Sequence, residues 1–129
     1  MLDHIGLKVT DIERSRVFYD QALKPLGISV IMDVSAAETG STPFLGYGEG
    51  RKPYFWINQQ ARATELLHVA FAAESRAKVD EFYRAAMAAG GRDNGPPGPR
   101  PHYHASYYGA FVLDPDGHNI EAVCHAPEA

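Results

Sequence analysis

Residues 111–125 read FVLDPDGHNIEAVCH, and the rest of the chain is organised around this stretch. It predicts a strand, a tight turn and a returning strand. Asp114-Pro115-Asp116-Gly117 is turn chemistry: Pro presets φ, Asp bonds its local backbone, and Gly tolerates positive φ. On the returning strand Ile120, Ala122 and Cys124 fall on one face, with Asn119, Glu121 and Val123 on the other. A carboxylate in mid-strand among apolar neighbours is costly to bury unless a partner or a metal meets it. Something elsewhere in the chain must meet Glu121.

The length of 129 residues suits one domain with a sizeable core. A net charge of −4 argues against nucleic acid or an anionic membrane surface as partner. No apolar run is long enough to span a bilayer, and the N-terminus lacks the sections of a signal peptide. One cysteine, Cys124, excludes an internal disulfide and a thiolate-rich zinc site. A cytoplasmic protein is expected.

Working outward, Leu2 to Val9 predicts a strand, with Ile5, Leu7 and Val9 on one face and His4, Gly6 and Lys8 on the other. Thr10-x-x-Glu13 fits a capping box opening a helix whose stripe is Ser15, Phe18, Tyr19, Ala22 and Leu23. Pro25 and Gly27 end it. Strands follow at Ile28 to Val34, about Phe44 to Tyr47, and Pro53 to Asn58. Leu66 to Ala73 is again a strand, with His68, Ala70 and Ala72 opposite Leu67, Val69 and Phe71. Ser75 caps a helix with the stripe Val79, Phe82, Tyr83, Ala86 and Met87, closed by Gly90-Gly91. A Pro/Gly-rich stretch, Asn94 to Pro101, leads into the terminal hairpin.

The halves share a register. His4 and His68, Phe18-Tyr19 and Phe82-Tyr83, and Ala22 and Ala86 are all separated by the same offset, about 64 residues, which with the common element order predicts a duplication. The expected organisation is one α+β domain over 1–129, with βαβββ modules at 1–60 and 63–125. The same offset carries Glu121 to Ile57, so positions 4, 57, 68 and 121 become equivalent. Three of them hold metal-capable side chains.

Strand parity puts His4, His68 and Glu121 opposite the residues that pack under the helices. Two imidazoles and a carboxylate converging from three strands form a 2-His-1-carboxylate set, which leaves coordination positions open for water or substrate. Zn, Fe, Mn, Ni and Co all suit these ligands. The bland alternative is a terminal surface histidine, a hydrogen-bonded core histidine and an edge-strand charge. The segment Arg100-Pro101-His102-Tyr103-His104, followed by Tyr107-Tyr108, is the next candidate. It is either a semi-rigid lid, with His102 or His104 as acid/base and Tyr107 as hydrogen-bond donor, or a loop whose aromatics pack back on the sheet. His102-x-His104 alone is a weak metal signal. Trp56, Arg100 and Tyr103 are candidate substrate contacts, Cys124 inert packing, and His118 and His125 surface residues.

The duplicated pattern, the opening Asp3-His4-Ile5-Gly6, the Phe18-Tyr19 helix and the closing DPDGHNIE (114–121) together resemble the glyoxalase/bleomycin-resistance/extradiol-dioxygenase (vicinal oxygen chelate) superfamily. The resemblance implies a cupped mixed sheet with helices on its outer face and a divalent metal inside. It assigns His4, His68 and Glu121 to the metal positions. Glyoxalase I-type enzymes carry a fourth ligand where this chain has Ile57, a departure that points towards the three-ligand branches. The implied function is a metal-dependent lyase/isomerase or dioxygenase acting on a small oxygen-rich substrate, working as a homodimer. A metal-free small-molecule binder of the bleomycin-resistance kind is the alternative.

Overall fold

The strands form where β-branched and aromatic residues alternate with small or polar ones, and the helices form where the apolar period lengthens to 3.6. The computed structural model describes residues 1–62 and 65–127. In chain order the elements are β1 (Ile5–Val9), α1 (Ile12–Leu23), β2 (Ser29–Val34), α2 (Ala36–Thr39), β3 (Phe44–Glu49) and β4 (Lys52–Gln59). Then follow β5 (His68–Ala72), α3 (Arg76–Ala88), β6 (Arg92–Asp93), β7 (Gly98–Pro99), β8 (Tyr108–Leu113) and β9 (Asn119–Cys124). Two mixed sheets result, ordered β1-β4-β3-β2 and β5-β9-β8-β6, with β7 also beside β8. The pairs β1/β4 and β5/β9 are parallel and the others antiparallel, so the halves share one topology. The second half replaces a full second strand with the two-residue pieces β6 and β7. Its Pro/Gly-rich sequence supplies few backbone donors for a ladder.

One face of each sheet is covered by helix. Leu7, Val9, Phe55 and Ile57 meet Phe18, Tyr19, Ala22 and Leu23, while Val69, Phe71, Ile120 and Ala122 meet Val79, Phe82 and Ala86, all in one buried cluster. The helices α1 and α3 also pack on one another. Phe55 and Phe71 join the two cores edge to face at 5.1 Å between ring centroids. Ala22 and Ala86 are both fully buried, as their matched register predicts.

Thr10 does not cap α1. Asp11 is the N-cap and accepts from the Arg14 N–H at 3.2 Å. Thr10 instead serves the turn after β8: its hydroxyl donates to the Asp116 carboxylate at 2.6 Å, and its N–H donates to the same group. Asp114 is buried and accepts from the N–H groups of Asp116 and His118, both at 2.9 Å, and from the Tyr19 hydroxyl at 2.5 Å. Gly117 takes the positive φ that closes the turn, +98°.

His118 is a correction to the surface position expected for it, because it is fully buried. Its Nδ1 accepts from the Leu67 N–H at 3.0 Å and its Nε2–H donates to the Lys8 carbonyl at 2.8 Å. Turn 114–118 therefore ties the second sheet to β1 and α1 of the first. Each buried partner left unpaired would cost about 1–3 kcal/mol.

Candidate functional site

The faces away from the helices carry the chemistry. On the second sheet Glu121 lies on β9, opposite Ala70 of β5 and Phe111 of β8. It is 1% exposed, and two donors meet it. His68 Nε2–H donates to Oε1 at 2.8 Å, and the Tyr107 hydroxyl donates to Oε2. His68 itself is half-exposed at the start of β5. A Cβ on Gly109 would come within 3.1 Å of the Tyr107 ring and 3.2 Å of Glu121 Oε2, so glycine there leaves room for the tyrosine to fold onto the carboxylate. Burial, then the Glu121 carboxylate, pushes the Tyr107 hydroxyl above its ordinary range, so it stays a donor at neutral pH.

The Pro-rich segment is an ordered hairpin. The Arg100 N–H donates to the Tyr107 carbonyl at 2.8 Å, closing a loop between β7 and β8. The Arg100 guanidinium donates to the carbonyls of Gly98 and Pro96 at 2.9 and 2.8 Å and sits 5.5 Å over the Phe111 ring, which holds the prolines in place. Tyr103 packs edge to face on Tyr107 at 4.8 Å and meets His102 at 4.3 Å with the rings tilted. His104 turns to His125, with Nε2–H donating to Nδ1 at 2.8 Å, while its own Nδ1 accepts from the Ser106 N–H at 3.0 Å. The loop thus brings Tyr107 to Glu121 and directs His104 elsewhere.

On the first sheet His4 precedes β1 and lines an open groove of about 630 Å³ with Gly6, Phe44, Pro53, Trp56 and Asn58. Its Nδ1–H donates to Asp3 Oδ1 at 2.7 Å, and Asp3 also pairs with Lys52. The Lys52 ammonium, then His4, holds the Asp3 carboxyl below its ordinary range.

The offset that leads from Glu121 to Ile57 misplaces the fourth position by one residue. Ile57 pairs with Leu7 and Leu45 and is fully buried on the helix side. The residue opposite Gly6, as Glu121 is opposite Ala70, is Trp56. The offset is 64 residues from Gly6 to Ala70 but 65 from Trp56 to Glu121, so the second half carries one extra residue between its helix and its last strands. A slip of one exchanges the faces of a strand.

Residues 1–122 match the family model of the Glyoxalase/Bleomycin resistance protein/Dioxygenase superfamily. The chain belongs to this superfamily. Among solved structures it is similar to a glyoxalase/bleomycin resistance protein from Albidiferax ferrireducens, at 29% identity over 95% of this chain and 96% of that one, with a TM-score of 0.76. It is similar to a glyoxalase I mutant from Zea mays at 25% identity and a TM-score of 0.70, over 95% of this chain but 46% of the maize protein. It also shares the fold of a mutant of the fosfomycin resistance protein FosX from Listeria monocytogenes, complexed with Mn(II) and 1S,2S-dihydroxypropylphosphonic acid. That likeness is 20% identical over 95% of this chain and 87% of that one, with a TM-score of 0.67. No curated protein sequence gives a significant match.

Within this superfamily chain, the donor chemistry fits a divalent metal in two parts. Adjacent ligands at about 2.1 Å from one ion lie about 3 Å apart, close to the 2.8 Å between His68 Nε2 and Glu121 Oε1; an ion there would take the Nε2 lone pair, with the ring proton on Nδ1. His4 donates its Nδ1 proton to Asp3, the carboxylate–histidine arrangement that leaves Nε2 as the lone-pair donor. His104 and His118 are poor ligands, because a backbone N–H at Nδ1 fixes the proton on Nε2. Among the described residues no three His, Cys, Asp or Glu side chains gather at one point, so His4 does not join His68 and Glu121 within one chain. Asp3 is the functional candidate that the sequence reading missed. Its signal was an acid directly before a candidate ligand.

Proposed function

We propose that this protein is a divalent-metal-dependent enzyme whose site is shared between two copies of the chain. His68 and Glu121 come from one copy and His4 from the other. The observation that carries the proposal is the buried Glu121 carboxylate, held by His68 and Tyr107 on the open face of the second sheet. A carboxylate kept out of water and aimed at a half-exposed imidazole costs stability that a purely structural strand would avoid. The fold it shares with FosX, whose structure contains Mn(II), supports the same reading.

His68 and Glu121 of one copy and His4 of the other would hold the ion, which would supply Lewis-acid polarisation of a substrate oxygen. Tyr107 holds Oε2 of Glu121, so its main role is to orient the carboxylate, which with His68 would hold the ion. Asp3 orients His4 in the same way. His102, His104 and Tyr103 form the aromatic outer wall of the loop over this site, where His104 is bonded to His125. The substrate is a small oxygen-rich molecule and the reaction a lyase/isomerase or dioxygenase step. The proposed setting is a cytoplasmic homodimer; no described helix is long and apolar enough to cross a membrane.

The metal-free binder has one observation in its favour, the apolar groove beside Trp56 and Phe44. Turnover decides between the two. Lyase and dioxygenase substrates screened with added Mn(II), Fe(II), Ni(II) or Zn(II) should give activity that chelator and Glu121→Gln both abolish. Binding without turnover, indifferent to metal and to Glu121→Gln, would favour the binder.

A further inference from the structure

The register of the two sheets puts an indole where the second sheet has its carboxylate. Trp56 faces Gly6 across β4/β1 and Gly46 across β4/β3. A Cβ on Gly46 would lie 2.7 and 2.8 Å from atoms of the indole and 2.9 Å from Pro53 Cβ. The six-membered part of the indole therefore rests on bare backbone, and any larger residue at 46 would displace it. Phe44 meets the indole edge to face, with centroids 5.6 Å apart and planes at 62°. Together the two rings make an apolar corner in the open groove of about 630 Å³, a size that takes a one- or two-ring molecule. The polar rim is already paired: Lys52 and His4 both bond Asp3, while Asn58 bonds Thr42 and Gln60. The corner thus presents flat π surface and no unsatisfied charge.

We infer that the substrate or ligand carries a planar, uncharged aromatic group that stacks on Trp56 in the Phe44 corner, beside His4. This deepens the proposed function, since the groove would be the first-sheet wall of the same shared site. It narrows the small oxygen-rich substrate to one that carries an aromatic ring.

Trp56 is the sole tryptophan of the 129 residues, so its indole N–H gives a single NMR signal. The experiment titrates the full-length protein, in excess chelator, with 2-naphthol and with its saturated, non-planar counterpart decahydro-2-naphthol. The indole signal should shift saturably with 2-naphthol, and the saturated compound should bind about tenfold more weakly. Calorimetry should show affinity for 2-naphthol falling about tenfold in Trp56→Ala and by less in Trp56→Phe. Circular dichroism establishes that both variants fold, and Trp56→Phe carries the comparison if Trp56→Ala does not. Equal affinity for the two probes, no saturable shift, or unchanged affinity in the folded variants would overturn the inference. So would an indole signal that follows protein concentration and ignores the probe, which would assign the groove to a second copy of the chain. The probe carries one oxygen and the titration excludes metal, so failure of the metal site leaves this result intact, and the reverse holds.

Discussion

Trp56 holds, on the first sheet, the register position that Glu121 holds on the second. Each lies on the last strand of its half, opposite a small residue of the first strand, Gly6 or Ala70. The duplicated fold thus presents two unlike open faces, one with an imidazole beside an aromatic corner and one with an imidazole beside a carboxylate. Neither face alone offers three metal donors among the described residues. A site made from one face of each kind would.

Sharing of the site between copies predicts complementation. His4→Ala and Glu121→Gln should each lack bound metal. In a two-fold dimer the mixed species regains one intact site of two, so random mixing should restore about a quarter of the wild-type metal. Restoration to nothing would show that all three ligands come from one chain or that the ligand set is wrong.

Tyr107 and Asp3 should act through the residues they orient. Tyr107→Phe and Asp3→Asn are each expected to weaken metal binding about 10- to 100-fold, measured by competition with a chromogenic chelator. His104→Ala, whose ring turns to His125, should leave that affinity within about twofold.

His118 should matter for stability and little for chemistry. His118→Ala removes the partners of the Leu67 N–H and the Lys8 carbonyl, so urea unfolding should show a loss of roughly 2–4 kcal/mol. A loss below about 0.5 kcal/mol would mean that the link from turn 114–118 to the first sheet is weak.

Much of the fold was legible because parity and helical stripe are local properties. The faces of β1 and β5, the stripes of α1 and α3 and the turn at 114–117 all follow from residue spacing. What was not legible depended on register across distance. The fourth position went to Ile57 because a single extra residue in the second half is invisible without the strand pairing, and one residue reverses a face. The burial of His118 was hidden for the same reason: its partners, Lys8 and Leu67, lie 110 and 51 residues away. Thr10 matched a capping box, but a tertiary partner, Asp116, took its hydroxyl and left the cap to Asp11.

Alkaline pH should destabilise the fold. Burial raises the hydroxyls of Tyr19, Tyr47 and Tyr54 above the ordinary value near 10, with Asp114, Asp20 and Glu49 adding to it; Tyr54 is pushed to about 12. The folded state therefore favours the neutral phenol. That contribution is complete below about pH 10 and is lost as pH rises through the folded-state values. Spectrophotometric titration should show these tyrosines ionising together with unfolding. Normal ionisation near pH 10 with the fold intact would contradict their burial and pairing.

The most direct test is the metal content of protein purified without chelator, measured beside His68→Ala and Glu121→Gln. The account predicts about one equivalent of a divalent metal per chain in the wild type, and its loss in both folded variants. A wild type that stays metal-free after reconstitution, or variants that keep their metal, would contradict the claim that His68 and Glu121 are its ligands.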